Sequence, residues 1–277
     1  MLSGSQNRGN YLRMMQMNAP DLWKDLLPRP RVDGHKYDRG HCIVVGGAKL
    51  TGAARLAGVC AARAGAGLVT IVAPQGVGDV YRTAAPAHIM VEDEIAHDRR
   101  SHLADARRRA LVLGPGFGAD ADAVIDWLKA RGDQRLVLDA DGLIALNARA
   151  EGLALLRPDD VLTPHAGEFA RLFGDCTAQE AARRVGCVVV LKGADTIIAD
   201  GEDGVENRHA SPYLASAGTG DALAGIIAGL MAQGMPSFKA ACAGVWMHGE
   251  AGLQFGPGLV ASDIPDMLPH VLKSLFV

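Results

Sequence analysis

The five residues Ala217-Gly218-Thr219-Gly220-Asp221 run straight into an apolar stretch, Ala222–Gln233, that reads as a helix. Glycines let a backbone approach a ligand closely, and successive N–H groups at a helix start form a cradle for anionic oxygen. A phosphoryl group fits such a cradle. Asp221, in the first turn, is then placed to take the proton from an attacking hydroxyl. The competing role is structural, because Thr219 or Asp221 at this position can simply cap the helix. Two glycines flanking Thr219 favour the ligand.

Five further loops follow apolar, β-branched runs, and in open α/β sheets ligands bind beyond the carboxyl ends of the strands. They are Gly46-Gly47-Ala48-Lys49-Leu50-Thr51-Gly52-Ala53-Ala54, Gly114-Pro115-Gly116-Phe117-Gly118, Asp139-Ala140-Asp141-Gly142, Thr163-Pro164-His165-Ala166-Gly167-Glu168 and Lys192-Gly193-Ala194-Asp195-Thr196. Lys192 is a lone cation after four apolar residues, a placement suited to phosphate. Asp139 and Asp141 are open to a catalytic role or to a turn-forming one. The run Gly114–Ala119 also satisfies G-x-G-x-x-G/A, with Asp139 lying 20 residues past Ala119 where a dinucleotide fold places its ribose-binding acid. Against a dehydrogenase, the motif falls in mid-chain, Pro115 removes one N–H, and the 217–221 loop would have no job. Gly46–Thr51 does not match the P-loop pattern, so a nucleotide must be held another way.

The elements that carry these loops alternate. Strands are expected at Cys42–Val45, Leu68–Ala73, Ile89–Val91, Ala110–Leu113, Leu136–Asp139, Asp160–Thr163, Val188–Leu191 and Thr196–Ala199. Helices are expected at Gly52–Ala64, Asp120–Arg131, Glu168–Phe173, Thr177–Val185, Asp221–Gln233, Ser237–Gln254 and Ser262–Leu275. This is the pattern of an α/β protein with a mostly parallel sheet covered on both faces. No linker, repeat or composition break divides residues 34–277, which read as one domain; residues 1–33, with Met14, Met15 and Met17, read as a leader.

Composition narrows the function classes. With 277 residues, 49% hydrophobic and 21% charged, the chain can bury one large core, and a formal net charge of -3 excludes a strongly basic nucleic-acid binder. The five cysteines show no zinc-ligand spacing, and four sit in apolar runs as small buried thiols. No run reaches about 18 uninterrupted apolar residues, and the leader holds no stretch of signal-peptide length. A cytoplasmic chain that does not enter the membrane is expected.

Taken together, the string from His35-Lys36 through Val44-Val45-Gly46-Gly47 to Gly52-Ala53-Ala54 resembles the ADP- or ATP-dependent NAD(P)H-hydrate dehydratases. Gly114-Pro115-Gly116, Leu138-Asp139-Ala140-Asp141, Thr163-Pro164-His165-Ala166-Gly167-Glu168, Leu191-Lys192-Gly193 and Gly218-Thr219-Gly220-Asp221 extend the likeness from about residue 34 to the C-terminus. Thr-Pro-His-x-Gly-Glu separates this branch from sugar and vitamin kinases of the same ribokinase-like fold.

The resemblance implies ADP (or ATP) as co-substrate, magnesium, and the S-epimer of NAD(P)H hydrate as substrate. Asp221 is similar to the family's base, with Gly218, Thr219 and Gly220 donating to the moving phosphoryl. Ala53, Gly116, His165 and Asp221 resemble the hydrate contacts. Lys192, Gly193, Ala194, Asp195, Thr196 and Gly220 resemble the AMP contacts. Glu168 resembles the acid that organises the metal through water. The family's habit implies a homo-oligomer, a tetramer favoured, and an epimerase supplied separately, since the leader is too short to hold one. A kinase of a small vitamin-precursor alcohol and a non-catalytic nucleotide sensor stay open as alternatives; accumulation of a phosphorylated product, or indifference to Asp221→Asn, would mark them. Simple solvation stays open for His165, and no role is assigned to the other histidines. Trp127 and Trp246, on helices, are expected in core or subunit contacts.

Overall fold

A strand covered on both faces has no polar side to present to water, and His41–Val45 is buried at every position. The computed structural model, which describes residues 15–95, 97–118, 120–149 and 151–276, places that strand well inside one sheet. Its strands are β1 (Gln16–Met17), β2 (His41–Val45), β3 (Leu68–Ala73), β4 (Met90–Asp93), β5 (Arg108–Leu113), β6 (Arg135–Leu138), β7 (Val161–Leu162), β8 (Val188–Leu191), β9 (Thr196–Ala199) and β10 (Gly204–Asn207). They lie in the order β1-β10-β9-β8-β7-β6-β5-β2-β3-β4. Among them β9 runs antiparallel to β8 and β10, and the other pairings are parallel.

Alternate residues of β2 feed different cores. Cys42 and Val44 pack with helices α1 (Thr51–Arg63), α2 (Gly78–Ala84), α7 (Thr219–Ala232), α8 (Ser237–Phe255) and α9 (Ile264–Leu275). Ile43 and Val45 pack with α3 (Ala121–Ala130), α4 (Asp141–Ala148), α5 (Ala166–Phe173) and α6 (Ala178–Val185). The mostly parallel sheet with helices on both faces is therefore as expected. Helices α1 and α7 meet without side chains between them: a Cβ on Gly225 would overlap the Ala57 carbonyl, and one on Gly229 would meet the Ala61 carbonyl. Trp127 is fully buried in the second core, and Cys42, Cys60, Cys187 and Cys242 are buried free thiols. Among the described residues no helix is long and apolar enough to cross a membrane.

Some elements differ from the expected ones. Helix α7 begins at Thr219 rather than Asp221, and Asp139 and Thr163 fall just outside the strands expected to hold them. Helices α2 and α4 and strands β1 and β10 were not foreseen. Both helices are short, and α4 is apolar on most sides, so neither displays a clear 3.6-residue period. Residues 1–14 of the leader, and Ala119, lie outside the described residues. The leader's described part is integrated: β1 pairs with β10, Trp23 and Leu27 join the first core, and Trp23 packs on Trp246 at 5.7 Å between ring centres. Asn18 ties this segment down, accepting from Trp23 Nε1 and donating to Asn207 Oδ1 and the Cys242 carbonyl.

Candidate functional site

The loops leaving β2, β5, β6, β7 and β8 gather at one end of the sheet, where α7 also begins. Their close approach depends on glycine at a few points. Gly114 has φ +115, and a Cβ there would overlap the Asp139 carbonyl; Gly116 has φ +63, and its Cβ would lie 2.9 Å from Ala53 Cβ. Ala53 and Gly116, both of which the family resemblance implies as hydrate contacts, are thus neighbours. Asp141 Oδ2 accepts from the Gly118 N–H at 2.8 Å, tying the 114–118 loop to the 139–142 loop. Between the two acids Ala140 holds φ +47, a conformation that L residues adopt only under local constraint.

At the start of α7, Gly218 is the N-cap residue in the left-handed region, with φ +91. Neither Thr219 nor Asp221 caps the helix, which answers the structural alternative. The Thr219 hydroxyl donates instead to the carbonyls of Leu214 (2.7 Å) and Ser216 (2.9 Å), holding the preceding loop. Asp221 is free to face a cavity of about 660 Å³, which Leu50, Ala53, Arg55, Leu56 and Gly218 also line. Burial pushes its carboxyl up to about 6, and the charges of Asp139 and Asp141 add to this while Lys192 opposes it.

Lys192 and Gly220 meet on the other side of Asp221. A Cβ on Gly220 would sit 3.3 Å from Lys192 Nζ and 3.5 Å from Asp139 Oδ2. Lys192 is not a free cation: its Nζ lies 2.7 Å from Oδ1 of the buried Asp139. That pairing also occupies the acid a dinucleotide fold would need for a ribose. Beyond Lys192 the chain turns at Gly193, Ala194 and Asp195, all exposed, and Thr196 closes the turn by bonding both the N–H and the carbonyl of Gly193.

His165 is neither simply solvated nor aimed at a metal. It is the N-cap of α5: Nδ1 accepts from the N–H groups of Gly167 (3.0 Å) and Glu168 (3.3 Å), while Glu168 Oε2 accepts from the His165 N–H at 2.8 Å. Its side chain remains 56% exposed, with Nε2 3.5 Å from Glu168 Oε1 at the surface. A parallel bridge sets His165 beside Lys192. Glu168 is buried with one carboxylate oxygen committed to the cap. Among the described residues no grouping of three His, Cys, Asp or Glu side chains is arranged to hold a metal ion. Sequence reading missed Arg55 in the cavity wall, although Arg55 stands one residue past Ala54 on the same helix, and it missed Asp139 as the partner of Lys192, for which no local signal exists. It also assigned nothing to His248, an imidazole whose burial pushes it down to about 4 and whose Nε2 has no partner.

The fold and the site define a ribokinase-like α/β protein. A ribokinase-like superfamily protein from Enterococcus faecalis superposes with a TM-score of 0.83, covering 97% of this chain and 99% of that one at 23% identity, a likeness of fold alone. The chain belongs to the NAD(P)H-hydrate dehydratase family, whose family model matches residues 41–270. It is 37% identical to the ADP-dependent (S)-NAD(P)H-hydrate dehydratase of Xanthomonas campestris pv. campestris over 95% of this chain and 98% of that protein. It is 38% identical to the bifunctional NAD(P)H-hydrate repair enzyme Nnr of Moorella thermoacetica, over 90% of this chain and 52% of that protein. The chain spans about half the length of such bifunctional relatives. Among solved structures, the ADP/ATP-dependent NAD(P)H-hydrate dehydratase from Bacillus subtilis co-crystallized with ATP/Mg2+ superposes with a TM-score of 0.81 at 27% identity, covering 95% of this chain and 99% of that one.

Proposed function

We propose that this chain catalyses the ADP-dependent dehydration of the S-epimer of NAD(P)H hydrate, releasing AMP and phosphate and returning the reduced cofactor. The observation that carries this reading is the position of Asp221: a carboxylate raised to about 6, at the mouth of a cavity, in the first turn of a glycine-opened helix. At neutral pH such a group is mostly ionised yet basic enough to accept a proton, which suits general-base work.

In the proposed reaction the hydrate's hydroxyl oxygen attacks the β-phosphorus of ADP, Asp221 takes the hydroxyl proton, and AMP leaves. The ring nitrogen's lone pair then expels phosphate as the C–O bond breaks, and loss of a proton from the neighbouring ring carbon restores the dihydropyridine. N–H groups from Gly218, Thr219 and Gly220 cradle the moving phosphoryl. Lys192, oriented by Asp139, stands beside Gly220 for a phosphate of the nucleotide, and Gly193, Ala194, Asp195 and Thr196 form the turn for the AMP moiety. Ala53, Gly116 and His165 Nε2 line the path of the hydrate. The charges of Asp139 and Asp141 add to the negative field at Asp221. As no three acids among the described residues are arranged to hold an ion, magnesium would be held chiefly by phosphate oxygens and waters, with one or two of these carboxylates at most. Glu168, one oxygen of which caps α5 while the other lies 3.5 Å from His165 Nε2, would reach that ion only through water; the ion would offset phosphate charge.

The assay is spectrophotometric. Reduced-nicotinamide absorbance should return from the hydrate only when magnesium and ADP, or less effectively ATP, are present. Return without nucleotide, or a stable phosphorylated product, would refute the reading. The proposal includes a cytoplasmic setting, an epimerase activity from a separate protein or domain, and a homo-oligomer, a tetramer favoured. Exposed Tyr213, Leu253, Phe255 and Val260 offer apolar surface for assembly, and light scattering of the purified chain tests it.

A further inference from the structure

The end of the sheet opposite Asp221 carries a second hollow, of about 680 Å³, a volume ordinary for small-molecule sites. It lies where β5 and β6 begin. Arg100, Arg108, Arg109, Arg131 and Arg135 line it, together with Asp133. A chain of formal charge -3 has gathered five guanidinium groups at one place.

Part of that charge serves the fold. Arg131 grips Asp160 through both terminal nitrogens, at 2.5 and 2.6 Å, directly after α3. Arg108 pairs with Glu92 and donates to the His102 carbonyl. Arg135 donates to the Met235 carbonyl at 2.9 Å, in the loop after α7, and its Nε lies 4.0 Å from Asp159. The remainder has no such use. The Nε atoms of Arg108 and Arg131 are buried and have no hydrogen-bond partner among the described residues. Arg100 and Arg109 form no ion pair among the described residues, and Arg109 reaches only the Asp38 carbonyl, at 3.5 Å.

We propose that this hollow is a second binding site, for a compact multivalent anion bearing phosphate or carboxylate oxygens. Guanidinium groups present paired N–H donors that match either oxyanion, and Arg100 and Arg109, both exposed at the hollow, keep those donors within reach of a ligand. The site is remote from the first. Helix α7 carries Asp221 in its first turn, and Met231 near its other end lines the hollow. Met231 is ten residues past Asp221, about 15 Å along the axis, more than a compact anion spans. The proposal stands on these arginines alone and does not depend on the dehydratase reading.

Calorimetric titration of the full chain with pyrophosphate, and separately with citrate, at low ionic strength tests it. The Arg100→Ser/Arg109→Ser chain is compared with the unaltered one, and hydrogen exchange locates the protection. One equivalent should bind, weakened at least about tenfold in the double variant, with protection at residues 100–109 and 131–135. Binding of pyrophosphate alone assigns phosphate chemistry, of citrate alone carboxylate chemistry, and of both a site that reads charge. No binding of either anion, equal affinity in the double variant, or protection confined to the loops around Gly220 overturns it.

Discussion

Nζ of Lys192 stands 2.7 Å from Oδ1 of Asp139, and the two close over the position where Gly220 lacks a side chain. The lysine directly follows strand β8 and the acid directly follows β6, with β7 between those strands. The pair therefore spans a three-strand breadth of the site and sets the charge felt by Asp221. Removing the lysine alone leaves Asp139, 2% exposed, as an uncompensated buried charge. Lys192→Met should destabilise the chain by about 3 kcal/mol, and Asp139→Asn in the same chain should recover most of the loss without restoring nucleotide affinity. Denaturant unfolding and ADP titration read the two effects separately.

Asp221→Asn is expected to lower kcat about 10²- to 10⁴-fold while ADP still binds. In the unaltered chain the rate should rise with pH through about 6, as the carboxyl ionises, and this limb should vanish in the variant. Its folded value is raised above the ordinary 3.8, so its contribution to stability is fully present below that value and lost as pH rises through about 6. At pH 8 the asparagine chain should therefore be more stable, by up to about 3 kcal/mol. A slower yet less stable variant would contradict this account.

Gly225 sits where a side chain would strike the Ala57 carbonyl of α1. Gly225→Ala should cost about 3 kcal/mol by forcing the two helices apart. It should also reduce activity, since α1 carries Ala53 and α7 carries Asp221. Thermal melts and steady-state rates check both, and a neutral effect would show that the helices yield easily.

Trp23 is 1% exposed against Trp246 and bonded to Asn18. Truncation to alanine should cost about 4 kcal/mol, measured by urea unfolding. A leader merely lying on the surface would leave the midpoint unmoved.

His41 and His248 are both pushed down to about 4, chiefly by burial, with Arg108 adding to the effect at His41. A depressed folded value means stability that is present above the ordinary 6.5 and lost as pH falls through about 4. His41→Gln, which can keep a bond to the Thr70 hydroxyl 2.8 Å away, should shrink the fall in melting temperature between pH 7 and 4.5. An unchanged fall would place the acid sensitivity elsewhere.

The alternation of strands and helices, the loops beyond the strands and the glycine-opened start of α7 were legible along the chain. Each follows from local rules: a two- or 3.6-residue period, or a position that only glycine occupies easily. Asp221 came out of the same signals, whereas Gly116 and Ala53 were named together only through the family resemblance. The short α2 and α4 did not, because too few turns repeat for a period to emerge.

What neighbouring residues cannot encode is which distant groups share a space. Lys192 and Asp139 stand 53 positions apart and meet because β6, β7 and β8 lie side by side. The histidine of Thr163-Pro164-His165 is a helix cap whose outer nitrogen lies near Glu168, which depends on how α5 leaves β7. Trp23 is core only because β1 finds the edge of β10, and five arginines form a hollow only because α3 and α7 end beside the first residues of β5 and β6. Burial and charge act through space, so strand order decided them; period and turn act along the chain, so the sequence alone determined those.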